Sequence, residues 1–160
     1  MKKIIVISDT HGNLSGVESL RSLVAENDYL IHLGDGSGDI RGFWNDYPDK
    51  IYQCRGNCDF FSPLPDEEVI EIEGVRILYC HGHKYGVKSG LRALAEETKK
   101  RKCGVALYGH THNAKITETD GVTLINPGSL RRPVEEGGSY CYLVINKDKA
   151  TPVLVGESVF

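Results

Sequence analysis

The sequence predicts one α/β domain over residues 1–160, built as layers of helices on mixed β-sheets. Its 160 residues are 40% hydrophobic and 26% charged, which is the balance of a single globular domain. The first half alternates short apolar runs with helical patterns, as chains that form parallel strands do. The second half is richer in hairpins, which add antiparallel strands to a sheet. Together these patterns favour an α/β layered sandwich.

Three apolar runs rich in β-branched residues predict buried strands in the first half. They lie at residues 3–8, 29–33 and 50–54. After the first run, Ser15 and Glu18 fit a capping box, and the apolar spacing beyond them predicts a helix to about Glu26. The glycine-rich, aromatic segment 36–49 predicts one short helix before Pro48.

The second half predicts one longer helix among several short strands. The helix is expected over residues 87–102, because Val87, Leu91 and Leu94 fall on one face. The strands are expected at residues 68–72, 75–80, 105–108, 115–119, 122–125, 139–146 and 151–155. Asp120-Gly121 is a strong turn signal that joins one pair of them into a hairpin.

Composition argues against several classes of function. The net charge of -3 is a poor basis for binding nucleic acid or an anionic membrane. The basic run 99–102 ends the predicted helix, where cations suit the helix dipole. No apolar run approaches the ~20 residues of a membrane helix, and five cysteines without framework spacing indicate a reducing setting. We expect a cytoplasmic protein with no secretion signal, no membrane partner and no stable nucleic-acid binding.

Metal-binding residue types follow five of the predicted strands, each just past the carboxyl end. The segments are Asp9-Thr-His11, Gly34-Asp35, Gly56-Asn57-Cys58-Asp59, His81-Gly-His83 and Gly109-His110-Thr-His112. Each segment alone is more often a turn or a helix cap, but ligands bind in the crevice beyond strand carboxyl ends. Asp, His and Asn supply oxygen and nitrogen atoms that suit Mn, Fe, Co, Ni or Zn. More donors converge than one tetrahedral ion uses, so two ions sharing a carboxylate are expected.

This set of segments resembles the calcineurin-like metallophosphoesterases. Within them it is similar to the small prokaryotic phosphodiesterases, which are related to the retromer-subunit fold. The resemblance covers nearly the whole chain and includes Asn126-Pro-Gly-Ser129. It implies a four-layer α-β-β-α sandwich of two mixed β-sheets flanked by helices, with a two-metal site at one edge.

The resemblance also implies a role for each matching residue. The expected ligands are Asp9, His11 and His112 for the first metal, Asn57, His81 and His110 for the second, and Asp35 as the bridge between them. The expected catalytic residues are Asp35, Asn57, Asp59 and His81, with Asn57, Cys58 and Arg131 at the substrate. Manganese is the expected ion, with Ni, Fe, Co, Zn and Mg as alternatives.

One position departs from the family pattern. Many members have histidine where this chain has Cys58, and that histidine is proposed to protonate the leaving group or to bind the phosphate. A thiol with an ordinary pKa of about 8.5 is a much weaker acid than an imidazolium. We therefore expect aryl or activated diesters to react better than alkyl monoesters. Asp59 is expected to orient a neighbouring group.

These residues predict a metal-dependent phosphodiesterase that hydrolyses small diesters with a hydroxide bridging two divalent cations. The alternatives are a phosphomonoesterase or nucleotide phosphatase, and a non-catalytic scaffold like the retromer subunit. The scaffold is disfavoured because every metal position is filled. A homodimer is the preferred oligomeric state. His32 is interpreted as structural, and His83 as a solvated loop residue in preference to one that faces the substrate. Phe43, Trp44, Phe60 and Phe61 are interpreted as a substrate pocket, a subunit contact or core.

Overall fold

Two five-stranded β-sheets form the centre of the protein, in a computed structural model that describes residues 1–156. The strands are β1 Lys2–Ile7, β2 Tyr29–His32, β3 Ile51–Gln53, β4 Glu67–Ile72, β5 Val75–Cys80, β6 Val105–Leu107, β7 Lys115–Thr119, β8 Val122–Asn126, β9 Ser139–Asn146 and β10 Lys149–Gly156. The strand orders are β10-β9-β1-β2-β3 and β4-β5-β6-β8-β7. Parallel pairs join β1 to β2 to β3 and β5 to β6 to β8, and the other pairs are antiparallel. Both sheets are therefore mixed, as predicted.

The two sheets pack face to face over the main apolar core. Because side chains alternate along a strand, Ile4 and Val6 of β1 join this core while Ile5 and Ile7 lie on the opposite face of their sheet. Ile77 of β5 enters the core from the second sheet. All five side chains are fully buried, and burial of each is worth about 1.5–3 kcal/mol. The layer between the sheets is thus a rigid support for the loops at its edge.

Helices cover the outer face of each sheet. They are α1 Leu14–Glu18, α2 Arg21–Glu26, α3 Arg41–Trp44 and α4 Arg92–Lys100. Val17 and Val24 pack with Ile5 on the first sheet, and Leu94 packs with Leu78 on the second. This order of helix, sheet, sheet and helix confirms the predicted four-layer sandwich. Among the described residues, no helix combines the length and the hydrophobicity that a membrane crossing requires.

The capping box predicted at the first helix is wrong. Asn13, not Ser15, caps α1, because its side-chain oxygen accepts the backbone N–H of Gly16 at 3.0 Å. The helix predicted to run to about Glu26 is divided into α1 and α2, with Ser19 and Leu20 between them. The capping residue thus lies two positions earlier than the sequence pattern indicated.

The helix predicted over residues 87–102 is also too long. It begins only at Arg92, because Gly86 and Gly90 have φ angles of 60° and 142° that no α-helix accommodates. Val87 is buried against the second sheet from a turn rather than from a helix. Val87 is apolar because it packs on the sheet, and its spacing from Leu91 and Leu94 therefore predicted a helical face where there is none.

Loops from both sheets meet at one edge of the sandwich. The Asp9 backbone N–H donates to the Gly34 carbonyl at 2.9 Å, which ties the loop after β1 to the loop after β2. The Gly109 N–H donates to the His81 carbonyl at 2.8 Å and ties the loops after β6 and β5 in the same way. The His81 ring bonds to the Leu33 carbonyl and so joins the two sheets. The segments predicted to carry metal ligands therefore converge.

Candidate metal centre

Two buried aspartates, Asp9 and Asp35, form the middle of the convergent loops. Asp9 Oδ2 accepts the backbone N–H of His110 at 3.0 Å and the hydroxyl of Ser8. Asp35 Oδ1 accepts the backbone N–H of Cys58 at 2.7 Å. The other oxygen of each carboxylate points toward imidazole rings. Backbone contacts of the fold thus orient both carboxylates toward a common space.

The first candidate cation group consists of Asp9, His11 and His112, whose ligating atoms lie within 4.8 Å of one another. His112 Nε2 lies 3.1 Å from Asp9 Oδ1, and His11 Nε2 lies 3.6 Å from it. Asp9 Oδ1 is buried and finds no hydrogen-bond donor within residues 1–156. A buried carboxylate oxygen without a donor is costly unless a cation satisfies it. These residues therefore fit a divalent cation.

The second candidate group consists of Asp35, His81 and His110, again within 4.8 Å of one another. His81 Nε2 lies 3.2 Å from Asp35 Oδ2 and 3.2 Å from His110 Nδ1. His81 Nδ1 donates to the Leu33 carbonyl at 2.8 Å, since a carbonyl only accepts. When the ring is neutral, its lone pair therefore lies on Nε2, the nitrogen that faces Asp35 and the cation position. A hydrogen bond behind the ligating imidazole is common at metal sites.

Asp35 stands between the two groups. Its Oδ2 lies 3.2 Å from His81 Nε2 in the second group and 3.8 Å from His11 Nε2 in the first. Asp9 Oδ1 also lies 3.8 Å from His81 Nε2. The Asp35 carboxylate thus faces nitrogen donors of both groups, which is the geometry that a bridging ligand needs.

The surroundings shift the pKa of several of these groups. Burial alone would raise the pKa of Asp35, but hydrogen bonds from His81 and the Cys58 backbone hold it well below its usual range. Burial alone would lower the pKa of His81, but the hydrogen bond to Asp35 and the nearby carboxylate charges raise it. Burial lowers the pKa of His110 and of His112. At neutral pH Asp35 is ionised and these last two rings are neutral, the forms that bind metals.

Most of the candidate ligands have a left-handed backbone conformation. Their φ angles are 52° at Asp9, 41° at His11, 60° at Asp35, 71° at His110 and 64° at His112. Asp and His adopt this conformation more readily than most residues, yet it costs of order 1–3 kcal/mol at each position. Backbone strain is therefore concentrated in the loops that carry the candidate ligands.

Gly56 and Gly109 allow the loops to approach the two aspartates closely. A Cβ atom at Gly56 would lie 2.2 Å from Asp35 Oδ1, and one at Gly109 would lie 2.7 Å from Asp9 Oδ2. Real Cβ contacts are not that short, so any larger residue would displace a carboxylate. The space beside each carboxylate requires glycine at these two positions.

Asp59 holds two of the loops together. Its carboxylate accepts four backbone N–H groups, from Asp35 at 2.8 Å, Gly36 at 2.9 Å, Ser37 at 3.0 Å and Gly56 at 2.8 Å. Burial alone would raise the pKa of Asp59, but these hydrogen bonds lower it. The Asp59 carboxylate thus ties the loop after β2 to the loop after β3 and contacts the backbone of Asp35 itself.

Asn57, Cys58 and Arg131 lie at the rim of the crevice and are exposed. Asn57 Nδ2 lies 3.6 Å from Cys58 Sγ. Partial burial, and then the Asp35 carboxylate, raise the pKa of the Cys58 thiol, which makes it a still weaker acid. Arg131 borders a cavity of about 130 Å³ together with His112. Arg131 therefore lies beside the first candidate group.

A buried network behind the candidate ligands was not predicted from the sequence. His32 Nδ1 accepts the Gly34 backbone N–H at 3.0 Å, so its Nε2 carries the hydrogen and lies 3.0 Å from Thr10 Oγ1. Thr10 donates to Asp39 Oδ2 at 2.6 Å, and the Gly12 backbone N–H donates to the same oxygen at 2.8 Å. The network fixes the backbone beside three candidate ligands. No motif marks Asp39, because its contacts join segments distant in sequence.

His83, interpreted as a solvated loop residue, is only partly solvated. Its ring centroid lies 5.5 Å from that of His81 and 6.1 Å from that of His110. The residue is partly buried, and its Nδ1 has no hydrogen-bond partner among the described residues. Burial lowers the pKa of His83. His83 therefore packs against the second candidate group, while His32 is buried and structural, as expected.

The fold and the site together define an α/β sandwich that presents two candidate cation groups in one crevice. The chain belongs to the calcineurin-like phosphoesterase superfamily, because the model of that superfamily's domain matches residues 1–148. Membership implies divalent metal ions as cofactors, and the two groups offer the residues to hold them.

Two relatives agree with this membership. The probable metallophosphoesterase YsnB of Bacillus subtilis is 32% identical over 92% of this chain and 87% of its own length. The phosphodiesterase YfcE of Escherichia coli is 26% identical over 98% of this chain and 94% of its own length. Both relatives match almost the full chain, so the likeness extends beyond the metal-binding segments.

Solved structures share the fold. A predicted phosphoesterase from Streptococcus pneumoniae has a TM-score of 0.80 at 25% identity, covering 98% of this chain and 90% of its own. Vps29 of Entamoeba histolytica, complexed with zinc, has a TM-score of 0.78 at 22% identity, covering 96% and 98%. At that identity the likeness to Vps29 is one of fold alone.

Proposed function

We propose that the protein is a metal-dependent phosphodiesterase that uses two divalent cations, manganese foremost, to hydrolyse small phosphate diesters in the cytoplasm. The observation that carries this proposal is the buried Asp9 Oδ1, which faces three imidazole nitrogens within 3.8 Å and lacks a donor among the described residues. Superfamily membership and the phosphodiesterase YfcE support the choice of reaction.

In this proposal the chain's own side chains divide into two sets. Asp9, His11 and His112 would hold one cation, and His81, His110 and Asn57 would hold the other, with Asp35 between the two groups. When bound, two divalent cations lower the pKa of water and neutralise charge on the phosphoryl oxygens. The two aspartates cancel only half of the cations' charge, so the crevice attracts the anion of a phosphodiester.

The residues near the leaving group limit the range of substrates. The Cys58 thiol has a raised pKa and stays protonated at neutral pH, so it gives a departing alkoxide little help. Asp59 has its carboxylate occupied by four backbone N–H groups and serves to position the loops. Diesters with leaving groups that need little protonation are therefore the favoured substrates.

The test compares bis-p-nitrophenyl phosphate with p-nitrophenyl phosphate after metal analysis of the purified protein. We expect manganese-dependent turnover that is faster on the diester. Asp35→Asn should abolish it, whereas Asp120→Asn, a matched change at another left-handed aspartate in a distant hairpin, should not. Faster turnover of the monoester would instead indicate a phosphomonoesterase. Absence of turnover at full metal occupancy would refute the enzyme proposal and favour a scaffold.

A further inference from the structure

A cavity of about 440 Å³ opens beside the candidate metal centre. Its lining includes Arg41, Trp44, Cys58, Phe60 and Phe61. Three of these five side chains are aromatic, and one carries a positive charge. The cavity thus combines ring surfaces with a cation, a combination suited to aromatic anions.

The wall of this cavity adjoins the candidate metal centre at Cys58. The Cys58 backbone N–H donates to Asp35 Oδ1 at 2.7 Å, so a residue of the cavity wall touches the proposed bridging carboxylate. Asp59, which holds the loop of Asp35 in place, also lines the cavity. Cys58 and Asp59 thus both line the cavity and contact the residue proposed as the bridging carboxylate.

Hydrogen bonds fix the orientation of the Trp44 indole ring. Its indole N–H donates to Gln53 Oε1 at 2.9 Å, and Gln53 Nε2 donates to the Ser37 carbonyl at 2.9 Å. The side chain nevertheless remains 40% exposed. A ring whose orientation is already fixed loses little conformational entropy when another ring stacks on it.

The charged and aromatic neighbours of Trp44 are free to meet a ligand. The Arg41 guanidinium lies 5.8 Å from the centre of the Trp44 ring, and it forms no ion pair with any described residue. Phe60 is 78% exposed and Phe61 is fully exposed. Phe61 also has a left-handed φ of 63°. Exposed aromatic side chains grouped around a cavity mark a binding site more often than a packing defect.

We propose that this cavity binds an aromatic ester group of the phosphodiester, stacked on Trp44 with Arg41 at its polar edge. The assignment rests on the proposed function and narrows it to diesters that carry a ring, either a nucleobase or a simple aryl group. Because a stacked ring loses its partner when the side chain is truncated to alanine, loss of Trp44 should weaken substrate binding about tenfold.

Trp44 is the chain's single tryptophan, so its fluorescence reports on the cavity directly. Three phosphodiesters are titrated into the full chain, with manganese and with a chelator: a dinucleoside monophosphate, diphenyl phosphate and diethyl phosphate. We expect saturable changes in emission with the two aromatic diesters and none with diethyl phosphate. Tighter binding of the dinucleoside phosphate would identify nucleobases as the preferred group, and tighter binding of diphenyl phosphate would identify simple aryl groups. Arg41→Gln should weaken the response, whereas Arg92→Gln on the exposed face of α4 should not.

Kinetics supply the second measurement. Trp44→Ala should raise KM for bis-p-nitrophenyl phosphate about tenfold with little change in kcat, and Trp44→Phe should keep most of the affinity. Both variants are checked by thermal unfolding, because a merely structural role would lower Tm without a selective rise in KM.

The outcomes separate this assignment from the proposed function. If metal-loaded wild type hydrolyses the diester but all three ligands give the same emission and Trp44→Ala keeps the wild-type KM, the cavity assignment is overturned and the phosphodiesterase proposal stands. If metal-loaded wild type hydrolyses no diester, both fall.

Discussion

Replacing Asp59 with asparagine tests whether this carboxylate positions the loops or takes part in chemistry. Oδ1 accepts the N–H groups of Gly36 and Ser37, and Oδ2 accepts those of Asp35 and Gly56. Asparagine keeps one accepting oxygen and turns an NH₂ group toward the other two donors. Two hydrogen bonds to a charged acceptor are lost, each worth roughly 1.5–3 kcal/mol.

Because Asp59 is only half-buried, water replaces part of the two lost hydrogen bonds, and we expect Asp59→Asn to destabilise the protein by about 3 kcal/mol. For a domain of this size that corresponds to a fall in Tm of roughly 6–12 °C. The loop that carries Asp35 should loosen, so manganese affinity should drop about 10–100-fold. Thermal unfolding and metal titration measure the two effects.

Asp66→Asn is the matched control. Asp66 lies nearby but pairs with the side chains of Arg55 and Lys84 at the surface, and such pairs contribute less than about 1 kcal/mol. A wild-type Tm and wild-type metal affinity in Asp59→Asn, together with lost turnover, would refute the positioning role and assign Asp59 to the reaction.

Three further predictions concern pH, metal and the leaving group. Burial lowers the pKa of His32 from 6.5 to about 4. As the pH falls, the unfolded chain is protonated at this residue before the folded protein is, so the free energy of unfolding should fall by about 3 kcal/mol between pH 6.5 and 4. Urea unfolding in chelator should show this fall in wild type but not in His32→Gln, and parallel curves of stability against pH would contradict the prediction. Manganese at about 100 times its Kd should stabilise wild type by about 2.7 kcal/mol, or roughly 5–10 °C in Tm. Asp9→Asn should lose this rise in Tm and Asp120→Asn should keep it. An equal rise in both variants would show that the first candidate group does not bind manganese. Cys58→His should accelerate alkyl diesters about 100-fold with a smaller effect on aryl diesters, and unchanged alkyl rates in steady-state assays would count against the thiol as the reason for the substrate preference.

The sequence predicted the strands better than the helices. Buried strands such as β1 are uninterrupted apolar runs, because both of their faces are covered. Helix ends depend instead on single hydrogen bonds and single φ angles. Asn13 rather than Ser15 caps α1, and the positive φ of Gly90 delays α4. Neither fact follows from the spacing of apolar residues.

The candidate ligands could be predicted because each follows a strand and belongs to a metal-binding residue type. The supporting contacts could not. Asp39 and His32 act through Thr10, and their positions depend on how the loops after β1 and β2 approach each other. The partial burial of His83 could not be predicted, because the sequence does not reveal that its ring lies near His110, which follows a different strand. Contacts between distant segments carry no local pattern, so the three-dimensional structure was needed to find them.

The left-handed backbone of the ligand loops restricts the range of metal ions that the protein could bind after substitution of its ligands. Aspartate, histidine and asparagine are the side chains that both coordinate cations and accept a positive φ. Cysteine at His112 or glutamate at Asp9 would offer a sulfur or a longer carboxylate to a softer or larger ion, but at φ angles of 64° and 52° either residue would strain the main chain. Attempts to retune the metal preference of this protein therefore have to rebuild the turn together with the donor atom.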